Sequence, residues 1–551
     1  MSEPSRGTGE AGPRRLVLLG GRIVTMDPAK PDAEALAVAG GRVLAAGSTG
    51  PVLEAAGTDA QRFDLGGATV VPGLIESHVH PTFFGLSRSW VDCRPPQRAS
   101  IADIVSELAA RVRGDAGEWV QGFGYDDTLL AEQRHPGRAD LDRASARVPI
   151  VITHISGHFA VANSAALAEA GVHRDTPDPE DGRFVRDGSG EPTGLLWEIG
   201  AVRHVMSHMP PPSPADLRDA TLEALRYAAS RGITTVHDMA VGTHGGAHVL
   251  GIYRELADEH RLPVRVRGFL SGELLAGHRP DSASAAAGPN GRATGRFRLT
   301  GVKYWADGSI QGLSAALTEP YLCAGGSTGE LNYSQDRFRA MIGQAHRAGF
   351  QVAIHANGDR AVDAAIDALS HAMTRYPRCG AEGPRHRLEH VQVVRPGQLE
   401  RMRDLGISAS FFINHVYYWG DRHRERFLGA SRAAAIDPLA SARRAGLRFG
   451  LHSDCPITPM DPLFTWWAAV NRVTSGGTVL GPDERLGVWD ALAALTRDAA
   501  YLAGDEGQLG MLRAGHLADL VVLGGDPGQD GGSRIRSLPV QRVMVGGRFT
   551  G

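Results

Sequence analysis

No stretch of the sequence reaches the roughly 18 consecutive apolar residues of a membrane-spanning helix, which leaves a soluble protein as the expectation. No run of like charge is long enough to grip a nucleic acid or a membrane surface. Lys and Arg total 58 against 61 Asp and Glu, a formal net charge of -3. Small-molecule chemistry is what this balance leaves. Cysteine is scarce, and Cys93, Cys323, Cys379 and Cys455 are scattered without a CxxC pair. That argues against a disulfide framework and a thiolate zinc site, and it fits a reducing cytoplasm. Residues 1–14 lack the apolar core of a signal peptide and read as a disordered tail.

The chain has 551 residues, more than the roughly 400 that a barrel with insertions reaches as one unit. Short β-rich runs occupy the start, Leu16–Thr25, Ala35–Ala39, Arg42–Ala46 and Ala68–Val71, and the Gly20-Gly21 and Gly40-Gly41 pairs read as hairpin turns. Asp519–Leu523 and Gln541–Val545 have the same character, so residues 15–72 and 506–551 are expected to form one small β-sandwich domain. Between them apolar runs alternate with Ala-, Leu- and Arg-rich helical stretches, the pattern of repeated βα units around a parallel sheet. The fold class expected is therefore α/β, a (β/α)8 TIM barrel over 73–505. Ten candidate strands exceed the eight a barrel needs. Trp119–Phe123 and Ile150–His154 are the two to set aside, because the stretch from about 84 to 229 is far longer than one βα connection. It reads as a lobe inserted after the first barrel strand, overhanging the catalytic face.

The sharpest chemical signal is Glu76-Ser77-His78-Val79-His80 at the end of an apolar strand. Residues two apart on a strand share a face, so His78 and His80 can chelate one ion. Taken alone, the pair also fits two core or solvated histidines. Three more strands end in suitable groups: His355 after Val352-Ala353-Ile354, Glu389-His390 after Leu388, and His452-Ser453-Asp454 after Leu451. The C-terminal ends of all barrel strands meet on one face, and imidazoles with a carboxylate suit Zn²⁺ or a similar divalent ion. The aromatics Trp305 and Phe412, with Phe83, Phe84, Phe411, Tyr417, Tyr418 and Trp419, lie near strand ends and are candidates to line an apolar substrate pocket, against the alternative of core packing. Cys455 beside Asp454 is assigned to packing rather than nucleophilic attack, because adjacent strand residues face opposite ways.

This arrangement resembles the amidohydrolase superfamily, in which HxH ends strand one, a lysine lies on strand four, histidines end strands five and six, and an aspartate ends strand eight. With the insertion removed, Lys303 in Gly301-Val302-Lys303-Tyr304-Trp305-Ala306-Asp307-Gly308 falls on strand four. It resembles the lysine that family members carbamylate to bridge two metals. The branch containing N-substituted formamide deformylase, amidohydrolase family 3, is closer still. The segments that carry this are Gly157–Leu167, His355-Ala356-Asn357-Gly358-Asp359-Arg360-Ala361, Arg387-Leu388-Glu389-His390 and Gly515-His516-Leu517-Ala518-Asp519-Leu520. Glu76 departs from the usual Asp, and His154 stands where the family fixes no histidine. His158 resembles a recurrent residue of the lobe and is a candidate substrate contact, with a local structural role as the alternative. His237 and Asp238 are candidates for support around the site or for holding the barrel rim.

The resemblance implies His78, His80, Lys303, His355, His390 and Asp454 as ligands to divalent metal, zinc first, as two ions bridged by carbamylated Lys303. It also implies Asp454 as the catalytic proton shuttle in hydrolysis of a non-peptide C–N bond. The partner expected is a small-molecule substrate, neither nucleic acid nor membrane, and a homodimer is compatible with the sequence. A deaminase on the same fold is the rival. Its glutamate three residues after the strand-five histidine is here Gly358, which argues against it. A non-catalytic binding relative is the third reading, and the complete ligand set argues against that one.

Overall fold

The computed structural model describes residues 15–115, 117–281, 295–377 and 385–550. The expected tail over 1–14 and Cys379 lie outside them. Eight strands form one sheet with neighbours in sequence order, and every pairing in it is parallel. We number these barrel strands β1 (Leu74–Val79), β2 (Ile233–Val241), β3 (Arg265–Ser271), β4 (Phe297–Trp305), β5 (Gln351–Ala356), β6 (Arg387–His390), β7 (Ser408–Phe411) and β8 (Phe449–Leu451). Every residue of β1, β2 and β3 is buried, as parallel strands covered on both faces must be. Side chains close the seam between β8 and β1. The Ser77 hydroxyl donates to the Leu451 carbonyl (2.9 Å), and the Ser453 N–H donates to Glu76 Oε1 (2.9 Å).

Between β1 and β2 the chain builds a separate six-stranded sheet, which includes Val120–Tyr125 and Ile150–His154, the two strands set aside from the barrel. Its edge hairpin pairs Arg183–Arg186 with Pro192–Trp197, and the same long strand pairs antiparallel with Phe159–Ala162. The helix Pro214–Ser230 then returns the chain to the barrel. Ser213 caps it, Pro214 occupies its first turn, and Leu217, Leu225, Ala228 and Ala229 enter the barrel core.

Both ends of the chain join in a sandwich. A four-stranded sheet holds Leu16–Leu19, Ala35–Ala39, Arg42–Gly47 and Gln61–Asp64. A six-stranded sheet combines Arg22–Val24 and Thr69–Pro72 with Leu520–Leu523 and Val540–Val545. Leu18, Leu36 and Val43 of the first meet Ile23, Val70, Leu520 and Met544 of the second in one apolar layer. Gly40-Gly41 turns a hairpin between its flanking strands, as expected. Gly20-Gly21 does not, because Leu16–Leu19 and Arg22–Val24 lie in different sheets. Gly20 takes φ +73, and a Cβ on Gly21 would lie 2.3 Å from the Ala68 carbonyl, so the pair makes a tight step between sheets.

The barrel end away from Asp454 is closed by buried ion pairs. Arg265 on β3 bonds Asp519 of the sandwich (2.7 Å), while Arg267 and Arg298 share Asp505, whose side chain is 3% exposed. Removing one partner of a buried pair leaves the others as uncompensated charges. Asp505→Ala is therefore expected to cost about 3–5 kcal/mol, read as a lower urea midpoint, while metal content per folded molecule is unchanged.

Candidate metal centre

At the mouth of the barrel β1 turns His78 and His80 inward, with ring centroids 5.2 Å apart. Their Nε2 atoms lie 3.2 and 3.1 Å from one oxygen, Oδ1 of Asp454. Asp454 follows β8 with φ +52, and His390 ends β6 with φ +69. Both are left-handed conformations that side-chain-bearing residues seldom adopt, and such residues cluster at functional sites.

The His390 ring lies 4.9 Å from that of His78 and 4.5 Å from that of His355 on β5. His355 Nε2 is 3.0 Å from the Gly308 carbonyl and 3.0 Å from Asn357 Nδ2, which leaves Nδ1 as the nitrogen without a hydrogen bond among the described residues. Lys303 of β4 is 1% exposed, and its Nζ is 3.4 Å from His78 Nε2. Burial pushes the Lys303 ammonium down to about 8. Burial likewise holds His78, His355 and His390 below the ordinary imidazole range, in the neutral form that offers a lone pair. Asp454 differs. Burial opposes its ionisation, but His78 and His80 hold it well below the usual carboxylate range.

Two groups that the sequence reading quoted without assigning a role support these side chains. Glu389 Oε2 accepts from His78 Nδ1–H at 2.7 Å, and Arg387 Nε donates to Glu389 Oε1 at 2.6 Å. With Nδ1 committed, His78 presents Nε2 to the centre, as in carboxylate–histidine–metal arrangements. The period of two along Arg387-Leu388-Glu389 could have revealed this pairing. His452, one of the strand-end groups, lies here too. Its ligand atom lies within 4.8 Å of those of His78 and His390, its Nδ1 is 2.8 Å from Ser410 Oγ, and its ring stacks on Phe412 at 5.2 Å.

The inserted lobe reaches the same place. The His158 ring lies 5.0 Å from that of His355, and its Nδ1 is 2.7 Å from Glu198 Oε2. Glu198 stands in no motif, and nothing in the sequence marks it. Trp305 places its ring 5.4 Å from Lys303 Nζ, and Phe412 lies 5.9 Å from His390. Phe412 belongs to an apolar wall in which Phe83, Trp419 and Ile457 of the barrel loops meet Phe123 and Ile155 of the lobe. Phe411 instead packs on Phe449 in the core. Cys455 lies in the apolar core and its thiol is pushed far up by burial, so it offers no thiolate. The reason differs from the expected alternation, since β8 ends at Leu451. His237 Nδ1 meets Arg387 at 3.1 Å, and Asp238 accepts from the Tyr253 hydroxyl at 2.7 Å.

These donors fit a divalent ion. Asp454 Oδ1 is buried without a hydrogen-bond partner among the described residues, and two imidazole nitrogens converge on it. A cation is the species that satisfies an orphaned carboxylate oxygen and neutral imidazole lone pairs together.

The model of the amidohydrolase family matches residues 61–550. N-substituted formamide deformylase of Arthrobacter pascens is 29% identical over 97% of this chain and 98% of its own. Protein LONG AFTER FAR-RED 3 of Arabidopsis thaliana is 31% identical over 97% of this chain and 91% of its own. Among solved structures, an uncharacterized metal-dependent hydrolase from Pyrococcus horikoshii matches with a TM-score of 0.73 and 26% identity, covering 94% of this chain and 99% of that one. No helix among the described residues is long and apolar enough to cross a membrane. With barrel, converging histidines and family model in agreement, the chain belongs to the amidohydrolase family.

Proposed function

We propose that this chain is a metal-dependent hydrolase that cleaves a non-peptide C–N bond of a small molecule, in an amide, a formamide or a cyclic amide. The observation that carries the reading is the convergence of His78 and His80 on the orphaned Asp454 Oδ1. Likeness to a formamide deformylase along nearly the whole chain supports the bond type.

His78, His80, His355, His390 and Asp454 would hold the metal, zinc by preference, with Lys303 as a carbamate spanning two ions. The bound metal supplies a Lewis acid and lowers the pKa of water from about 15.7 toward about 7. Asp454 accepts the proton of the attacking water and returns it to the departing nitrogen, which leaves poorly as an anion. Its ionised state suits the first half of that exchange. The Lys303 ammonium, whose pKa burial lowers to about 8, would first lose one proton; the neutral amine would then add to carbon dioxide and release a second, so that an anion replaces a buried cation among imidazoles. His158 of the lobe and Trp305 and Phe412 of the barrel face the substrate, and through His158 the lobe takes part in deciding which molecule is accepted. Deamination is disfavoured at Gly358, where a Cβ would lie 2.0 Å from the Ala316 carbonyl. A proton-donating glutamate has no room there.

Protein purified without chelators is expected to contain divalent metal and to hydrolyse members of a panel of N-substituted formamides, N-acyl amines and cyclic amides. Chelation should abolish the activity and zinc should restore it. Metal-free protein with full activity would sink the proposal. Asp454→Asn keeps size and an oxygen donor but cannot take a proton, so kcat should fall on the order of 10²- to 10⁴-fold while metal analysis shows most of the ion retained. Lys303→Ala should lose part of the metal and most of the activity, with partial recovery in short carboxylic acids plus excess zinc. Crystallographic density decides the modification directly, and an unmodified Lys303 in a metal-loaded site would refute the carbamate.

A further inference from the structure

We propose that Glu198 is a positioning residue, which commits one ring nitrogen of His158 to the lobe and so leaves the other for the substrate at the metal centre. The inference rests on the reading of His158 as a substrate contact. Its geometry comes from the register of the lobe sheet. Phe159 pairs with Trp197 in an antiparallel ladder, so the next residues outward, His158 and Glu198, stand opposite one another where the sheet ends. Both side chains are withdrawn from solvent, at 7% and 8% exposure, and Glu198 Oε2 accepts from His158 Nδ1–H at 2.7 Å. A carboxylate only accepts, so the proton stays on Nδ1. Nε2 of His158 has no hydrogen-bond partner among the described residues, and its ring centroid lies 5.0 Å from that of His355.

Two further observations tie Glu198 to the centre rather than to the lobe alone. Its backbone is left-handed, φ +64, at the junction between strand Pro192–Trp197 and helix Glu198–Met206. A residue with a side chain tolerates that conformation only where its surroundings hold it. Its second oxygen, Oε1, is buried without a partner and lies against Gly308, where a Cβ would come within 2.3 Å of it. The carbonyl of that same glycine receives His355 Nε2 at 3.0 Å. Glu198 thus wedges between the lobe and the loop that also fixes a ligand histidine. Without it, the His158 proton can move to the other nitrogen and the ring can turn.

The test combines four variants of the metal-loaded protein: Glu198→Ala, the isosteric Glu198→Gln, His158→Ala, and His158→Ala with Glu198→Ala. With formanilide as the probe substrate, each Glu198 single variant should lower kcat more than it raises KM, by on the order of 10- to 100-fold, at unchanged metal content. In the His158→Ala background, removing Glu198 should cost nothing further. Independently of any hydrolysis, the low-field proton spectrum should contain an imidazole N–H resonance that is absent in His158→Ala. It should vanish in Glu198→Ala and move upfield in Glu198→Gln. Persistence of that resonance unshifted in both Glu198 variants overturns the proposal whether or not formanilide is a substrate. Additive losses in the double variant overturn it too. Failure of the wild-type protein to cleave any C–N substrate, with the resonance behaving as described, would count against the proposed reaction and leave the positioning role supported.

Discussion

The barrel mouth depends on one buried carboxylate. Glu389 has no exposed surface, and burial alone would keep it neutral, yet Arg387 and His78 hold it ionised, well below the usual range. That charge is what lets it accept from both partners at once. Arg387 in turn reaches the Ser77 carbonyl on β1 (2.8 Å) and His237 on β2, so a single side chain of β6 links three strands across the barrel interior. A buried guanidinium and a buried carboxylate would each be costly alone, and together they form a fixed frame on which His78 is aimed. The orientation of His78 follows from this frame.

The two ends of the barrel divide their labour by chemistry. One end pairs charge with charge, Arg265 with Asp519 and both Arg267 and Arg298 with the single carboxylate of Asp505, and the first of these pairs joins barrel to sandwich. The other leaves Asp454 Oδ1 unsatisfied beside neutral imidazoles. Unmet hydrogen-bonding capacity is therefore placed at the mouth, where the candidate ligands meet. The lobe adds the missing wall, because Phe123 and Ile155 complete an apolar surface that barrel loops alone do not finish.

How much of this was legible follows from the range of each interaction. The eight barrel strands could be read because β-rich runs between helical stretches are a local pattern, and the insertion because no crossover connection needs so many residues. His78 and His80 could be paired because two residues is the strand period. Reasoning by alternation stopped working where strands stop. Asp454 lies beyond β8 with a left-handed backbone, so its direction and that of Cys455 were set by a turn that residue types do not announce. The Gly20-Gly21 step misled for a related reason, since a glycine pair permits a reversal and a crossover equally well. Glu198 was invisible because only the lobe's antiparallel register places it opposite His158, and register is a tertiary fact.

The pairing of Thr69–Pro72 with Leu520–Leu523 has a consequence for the chain during its synthesis. A strand made early waits for a partner made near the end, and β1 likewise waits for the segment after β8 that carries Asp454. Until then these apolar edges are exposed as the chain emerges from the ribosome, the condition under which nascent chains recruit chaperones or aggregate. The candidate ligands are spread from His78 to Asp454, so the barrel mouth described above can assemble only after translation has passed Asp454.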